Sequence, residues 1–112
     1  MIKHIVLFRF REDAPDDKIA ALMAEYETFS DKYPVMQTFD IGWNQSERDD
    51  RFDAGFVIEF RSQDEMKSYL NSDSHEAHVA ERFRPIIKER AIVSFSYEPR
   101  AGRVNGARRV AR

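Results

Sequence analysis

Three histidines and a tyrosine are the residues of this 112-residue chain whose types and spacing favour proton-transfer chemistry. His75 comes near the start of a predicted helix, where the positive end of the helix dipole lowers the pKa of an imidazole and favours the neutral, proton-accepting form. Tyr69, six residues earlier, could hold a substrate oxygen or orient that base. His4 shares a strand face with apolar residues, so we expect it to point into the same interior. Polar groups converging on an apolar cavity are typical of a small-ligand site.

Each of these residues also has a purely structural interpretation. His75 is consistent with a helix cap, His4 with a hydrogen-bonded core histidine, and Tyr69 with a core-edge residue whose hydroxyl meets water. The third histidine, His78, forms an H-x-x-H spacing with His75, and Asp73 is nearby. A metal needs at least three well-placed ligands, and this spacing assures no third. We therefore predict neither a metal nor a cofactor.

Hydrophobic periodicity predicts the elements that must position these residues. Apolar residues alternate with period two in the strands and recur every three or four positions in the helices. In chain order the predicted elements are a strand over 2–10, a helix from Pro15 to Tyr33, a strand over 36–44, an exposed loop over 45–51, a strand over 52–60, a short helix from Ser62 to Leu70, a helix capped by Ser72, Asp73 or Ser74 and interrupted at Pro85, and a strand over 90–98.

This order, β-α-β-β-α-α-β, interrupts the strands with helices without a strict alternation. It predicts an α+β fold, with a ferredoxin-like antiparallel four-stranded sheet and helices on one face.

The predicted strands are apolar on both sides, although the helices can cover only one side of the sheet. Ile5 and Leu7 lie opposite Val6 and Phe8, and the last strand is apolar on both sides as well. A solvated sheet face should instead carry polar residues. We therefore expect a second copy of the chain to cover this face, forming a homodimer with a shared β-barrel.

Composition and charge exclude several classes of protein. The chain has 18 basic and 20 acidic residues, and five of the basic ones are arginines in residues 99–112, so residues 1–98 have an excess of seven acidic residues. An acidic body argues against nucleic-acid binding, and Gly55 to Phe60 has the wrong spacing for the aromatic strand of an RNA-recognition module. No stretch approaches the ~18 apolar residues that span a bilayer. The absence of cysteine suits a cytoplasmic location.

Several motifs resemble the stress-responsive A/B barrel (Dabb) family of dimeric α+β barrels. They are Met1-Ile2-Lys3-His4-Ile5-Val6-Leu7-Phe8, Tyr69 with Ser74-His75, Phe83-Arg84-Pro85-Ile86, and Val93-Ser94-Phe95-Ser96-Tyr97. The resemblance implies a homodimer with a pocket between each sheet and its helices. Some members are cofactor-independent polyketide cyclases, and by that resemblance His75 would be the base, Tyr69 its assistant and His4 a supporting residue. His78 stands where the family usually has an aromatic residue.

We therefore predict a single domain over residues 1–98, followed by a basic tail over 99–112. The leading functional hypothesis is a dimeric small-molecule-binding or stress-associated protein with a partly equipped pocket between sheet and helices and no demonstrable turnover. The alternative is a cofactor-independent cyclase, lyase or isomerase that uses His75 as its general base. A third hypothesis is a protein-interaction module acting through the tail.

Overall fold

A computed structural model describes residues 1–98, and the predicted basic tail over 99–112 lies outside the described residues. Residues 1–98 form four strands and four α-helices, and the last crossover also contains a π-helical turn and a 3₁₀ turn. The elements are β1 (Ile2–Phe10), α1 (Asp16–Tyr26), α2 (Phe29–Lys32), β2 (Thr38–Trp43), β3 (Ala54–Phe60), α3 (Gln63–Leu70), α4 (Asp73–His78), the π-helical turn Val79–Phe83, the 3₁₀ turn Arg84–Ile86 and β4 (Ile87–Ser96). Within residues 1–98, no helix is both long and apolar enough to cross a bilayer.

The four strands form one antiparallel sheet in the order β2-β3-β1-β4. In the central strand β1, Val6 lies opposite Phe56 of β3 and Ile92 of β4. Because directly opposed residues share a face, this register assigns the even-numbered residues of β1 to the side that carries the helices. The predicted α+β, ferredoxin-like sheet with helices on one face is confirmed.

An aromatic core fills the space between the sheet and the helices. The Phe8 ring lies at its centre, with ring centroids 5.6 Å from Phe83 and 6.2 Å from Tyr26. Phe29 and Phe60 are also fully buried. These large rings supply most of the apolar area that holds the helices to the sheet.

The single helix predicted from Pro15 to Tyr33 is two helices in the structure. The Thr28 hydroxyl donates to the Glu25 carbonyl oxygen at 2.7 Å, and the Thr28 backbone N–H bonds the same carbonyl at 3.0 Å. A threonine that bonds the backbone in this way tightens the turn and competes with the helical pattern. The prediction of one continuous helix was therefore wrong, although both pieces bury the predicted apolar stripe.

Serine side chains cap the two helices that carry the candidate site. The Ser62 hydroxyl accepts the Glu65 N–H at 3.2 Å, and the Ser72 hydroxyl accepts the His75 N–H at 3.2 Å. Ser62 is the predicted cap, and Ser72 is one of the three residues predicted as candidates for the second cap. The predicted interruption at Pro85 is the 3₁₀ turn, after which β4 begins at Ile87, earlier than the predicted residue 90.

The other face of the sheet carries apolar residues that the described helices do not cover, as the sequence predicts. Ile5 lies opposite Val57 on one side and Val93 on the other. Val93 is 53% exposed, and Phe95 and Leu7 on the same face are also exposed. Ile92 is 48% exposed although it faces the helix side, because it belongs to the edge strand β4. We call the surface formed by Ile5, Leu7, Val57, Val93 and Phe95 the open face.

Candidate functional site

A cavity of about 310 Å³ lies between the sheet and the segment from α3 to the π-helical turn. Strands β1 and β4 form its floor, and helix residues form its roof. The apolar lining residues are Val6, Phe56, Leu70, Val79, Phe83 and Ile92, and the polar ones are His4, Tyr26, Tyr69, His75, His78, Arg90 and Ser94. The three predicted site residues, His4, Tyr69 and His75, therefore all line the same cavity.

The ring of His75 is held by a hydrogen bond at one of its two nitrogens. Its Nδ1 lies 3.1 Å from the carbonyl oxygen of Leu70. A carbonyl only accepts hydrogen bonds, so Nδ1 carries the proton and Nε2 is left as an acceptor. Burial lowers the pKa of His75 from its ordinary value. The imidazole is therefore neutral at physiological pH, the form that can take up a proton.

The sequence predicted this neutral form of His75 for a different reason. We expected the helix dipole to lower the pKa, but the main cause is burial, and α4 has only six residues. The structural alternative, that His75 itself caps the helix, was wrong: the cap is Ser72, and His75 supplies only its backbone N–H.

Tyr69 packs directly against the candidate base. The centroid of its ring lies 4.5 Å from that of His75 and 4.9 Å from that of Tyr33. Burial raises the pKa of Tyr69 far above its usual range, so the hydroxyl stays protonated. Tyr69 can therefore donate a hydrogen bond to a ligand oxygen, but it cannot serve as a base.

His4 reaches the cavity from β1 and is fixed by the neighbouring strand. Its Nδ1 lies 2.7 Å from the hydroxyl oxygen of Ser94, the residue directly opposite it in the β1–β4 ladder. Burial, helped by the nearby His75, lowers the pKa of His4. The ring is thus neutral and held in orientation by Ser94.

A second polar cluster, formed by Tyr26, His78, Glu25 and Arg82, runs from the cavity to the surface. The Tyr26 hydroxyl lies 3.1 Å from Nε2 of His78, which is only 1% exposed. Nδ1 of His78 lies 3.2 Å from Glu25 Oε1, close enough for an ionic contact although not aligned as a hydrogen bond. Arg82 Nε donates to both oxygens of Glu25 at 2.8 and 2.9 Å.

Electrostatics fix the charge states in this cluster. Partial burial alone would raise the pKa of Glu25, but the hydrogen bond from Arg82 and the proximity of His78 leave it below the ordinary value. Glu25 is therefore ionised. Burial lowers the pKa of His78, only partly opposed by Glu25, and burial raises the pKa of Tyr26 beyond its usual range. His78 and Tyr26 are both neutral.

The three histidines do not form a metal centre. Among residues 1–98, no group of three or more histidine, aspartate and glutamate side chains is arranged to hold a metal ion. The H-x-x-H pair instead makes two different contacts: His75 bonds a backbone carbonyl, and His78 bonds Tyr26.

Sequence reasoning missed Ser94 and Tyr26 as parts of this site. The signal for Ser94 was a polar residue on an apolar strand, but only the β1–β4 register shows that it opposes His4. Tyr26 was assigned to the apolar stripe of its helix, and nothing local indicates that its hydroxyl meets a histidine 52 residues away.

The fold occurs in several solved proteins. A dimeric ferredoxin-like protein of unknown function from Bacteroides fragilis is 25% identical, with a TM-score of 0.68, over 86% of this chain and 95% of that one. A Dabb-family protein from Mesorhizobium loti is 18% identical, with a TM-score of 0.75, over 87% and 96%. A hydroxynitrile lyase from Passiflora edulis is 18% identical, with a TM-score of 0.77, over 88% and 94%.

The family itself is recognised from the sequence. No curated protein sequence matches the chain significantly. The family model of the stress-responsive A/B barrel domain, Dabb, matches residues 2–97, which is nearly all of the described part of the chain. The chain therefore belongs to the stress-responsive A/B barrel family.

Proposed function

We propose that this chain forms a homodimer through its open face and binds a small, largely apolar carbonyl compound in the cavity. The observation that carries the ligand proposal is the convergence of His4, Tyr69 and His75 on one apolar cavity of about 310 Å³. A volume of this size suits a small organic molecule, and a few polar groups in an apolar lining are what orient such ligands.

The dimer proposal rests on apolar surface that the chain's own helices do not cover. Within the described part of the chain, Val93, Phe95 and Leu7 are exposed to solvent. A contiguous apolar patch on a sheet is typical of an interface, and a two-fold pairing of identical faces closes on itself. Proteins with this fold from Bacteroides fragilis and Thermobifida fusca are dimeric, which supports the same assembly here.

A carbonyl compound fits the hydrogen-bonding character of the cavity. The Tyr69 hydroxyl remains protonated and can donate a hydrogen bond to a carbonyl oxygen. Nε2 of His75 can accept a hydrogen bond from the ligand. The aromatic rings and aliphatic side chains around them suit an apolar or aromatic remainder.

Titration with 1-phenylbutane-1,3-dione tests the binding proposal, with isothermal calorimetry as the measurement. We expect saturable binding to the wild type and at least tenfold weaker binding to His75→Ala. Ser68→Ala, an exposed position on α3 beside Tyr69, is the matched control and should bind as the wild type does. Absence of binding to the wild type, or equal binding to His75→Ala, would contradict the proposal.

The geometry of His75 favours one second candidate, a cofactor-independent enzyme. In such a reaction Nε2 takes a proton from the carbon next to the carbonyl group, and the electrons of the broken C–H bond form an enolate. Tyr69 then donates a hydrogen bond to the enolate oxygen. The lyase of Passiflora edulis supports the compatibility of this fold with catalysis.

Incubation with the same diketone in D₂O, with NMR of the product deuterated at the carbon between the two carbonyl groups, separates a binder from an enzyme. Binding without product formation favours the first proposal. Product formation that His75→Ala abolishes favours the enzyme. Product formation that survives His75→Ala would exclude His75 as the base.

A further inference from the structure

His78 occupies a position where an apolar aromatic residue would pack at lower cost. Its ring is surrounded by aromatic rings: the centroid lies 5.0 Å from those of Tyr26 and Phe29 and 6.5 Å from that of Phe83. Burying a polar ring costs free energy unless its nitrogens are satisfied, whereas phenylalanine has no such requirement. The imidazole therefore needs an explanation beyond packing.

The contacts of His78 provide that explanation. Nδ1 of His78 lies 3.2 Å from the ionised carboxylate of Glu25 without the alignment of a hydrogen bond, and a nitrogen lone pair facing that charge would be repelled, so the electrostatics favour the ring proton on Nδ1. Nε2 is then an acceptor, and the Tyr26 hydroxyl must donate its proton to it across the 3.1 Å contact. Arg82 holds Glu25 in place from the surface side.

This arrangement leaves the Tyr26 oxygen with unused lone pairs and no proton to offer. Tyr26 and His78 both line the cavity. A ligand group meeting this oxygen must therefore be a hydrogen-bond donor, such as a hydroxyl group. The ion pair of Glu25 and Arg82 sets the direction of the hydrogen bond between Tyr26 and His78, although neither charged residue lines the cavity.

We propose that Tyr26, oriented by His78 and Glu25, is a second polar anchor of the cavity that selects ligands with a hydroxyl group remote from their carbonyl group. This deepens the proposed function and rests on it: the carbonyl end lies at His75 and Tyr69, and the hydroxyl end lies at Tyr26. In this scheme Tyr26 touches the ligand, and His78 and Glu25 are positioning residues.

Three probes that differ at one group test the anchor. They are 1-phenylbutane-1,3-dione, its 4-hydroxyphenyl analogue, which adds a donor, and its 4-methoxyphenyl analogue, which adds an acceptor without a donor. One neutral hydrogen bond is worth about fivefold in affinity. We expect the hydroxyl probe to bind about fivefold more tightly than the phenyl probe to the wild type, and the methoxy probe to show no gain.

The double variant Tyr26→Phe/His78→Phe shows whether this hydrogen-bonded pair selects the hydroxyl probe or only stabilises the fold. Replacing both partners of a buried hydrogen bond with apolar residues of similar shape is close to neutral for stability. We therefore expect an unchanged or higher Tm and a hydroxyl-to-phenyl affinity ratio near one. The Ser68→Ala control should keep the wild-type ratio.

The outcomes separate the two proposals. Equal binding of the hydroxyl and phenyl probes to the wild type overturns the anchor and leaves the proposed function standing. A preference that persists in the double variant also overturns it. Failure of all three probes to bind the wild type overturns both.

Discussion

Nδ1 of His75 lies 3.1 Å from the carbonyl oxygen of Leu70, the last residue of α3. The contact joins the end of one helix to the first turn of the next, and it determines which nitrogen of the ring carries the proton. No carboxylate is needed to orient the imidazole, because a backbone carbonyl accepts the Nδ1–H instead.

The tautomer and the acidity of His75 can be measured directly. We expect ¹⁵N NMR of the ring to show the Nδ1–H form and a pKa below 6.5, because burial disfavours the charged ring. If His75 acts as a base, the activity should rise with pH and level off at a lower pH than for an exposed histidine, since only the neutral ring accepts a proton. An Nε2–H tautomer would contradict this prediction.

Ser94 should stabilise the fold through His4. Removing its hydroxyl leaves Nδ1 of the buried His4 without its 2.7 Å partner. We expect Ser94→Ala to lower the free energy of unfolding by about 1 kcal/mol in urea titrations. Ser96→Ala, two residues further along the same face of β4, is the matched control and should change it by less than about 0.5 kcal/mol. Equal effects of the two substitutions would contradict the role assigned to Ser94.

Two neighbouring residues of β4 test the open face as a dimer interface. Val93 is 53% exposed on the open face, and Ile92 is 48% exposed on the cavity side. We expect light scattering to give about twice the 13.2 kDa chain mass for the wild type and for Ile92→Glu. Val93→Glu should be a monomer, because a charge buried in an apolar interface is unfavourable. A monomeric wild type, or a dimeric Val93→Glu, would argue against this interface.

The three cavity histidines should make the protein sensitive to mild acid. The pKa values of His4, His75 and His78 are all lowered from the ordinary 6.5, mainly by burial. As the pH falls below 6.5, these histidines therefore bind protons in the unfolded chain while they remain neutral in the folded chain. Stability is fully present above that pH and is lost below it, by at most about 1.4 kcal/mol per pH unit for each histidine.

Urea unfolding between pH 8 and pH 5.5 measures this loss before carboxylates contribute. The double variant Tyr26→Phe/His78→Phe, which has one titrating ring fewer, should show a shallower slope. A stability that stays constant or increases toward pH 5.5 would be inconsistent with three neutral histidines whose pKa values are lowered in the folded chain.

The elements and their faces were predictable because they depend on local periodicity. The alternation in residues 2–10 places His4 on the side of Val6 and Phe8, and the structure agrees. The cap of α4 could likewise be narrowed to Ser72, Asp73 or Ser74, since a cap bonds an N–H only three residues away, and the structure shows that it is Ser72. The excess of apolar strand residues was also evident from the sequence, and it corresponds to the open face.

The break at Thr28 could not be predicted from periodicity, because the apolar stripe continues through it. The pattern from Ile19 to Tyr33 fits one helix, and the side chain of Thr28 decides otherwise by bonding the Glu25 carbonyl. The strand boundaries differed for a similar reason, since tertiary pairing extends β4 back to Ile87.

By itself, the sequence determined the order of the elements, the family and the three residues expected at the cavity, because each is encoded in spacings of a few residues. Only the tertiary structure decided the pairings that give those residues their chemistry. Ser94 meets His4 across 90 residues, and His78 meets Tyr26 across 52. Such contacts depend on strand register and on how helices pack on the sheet, and neither leaves a local pattern in the chain.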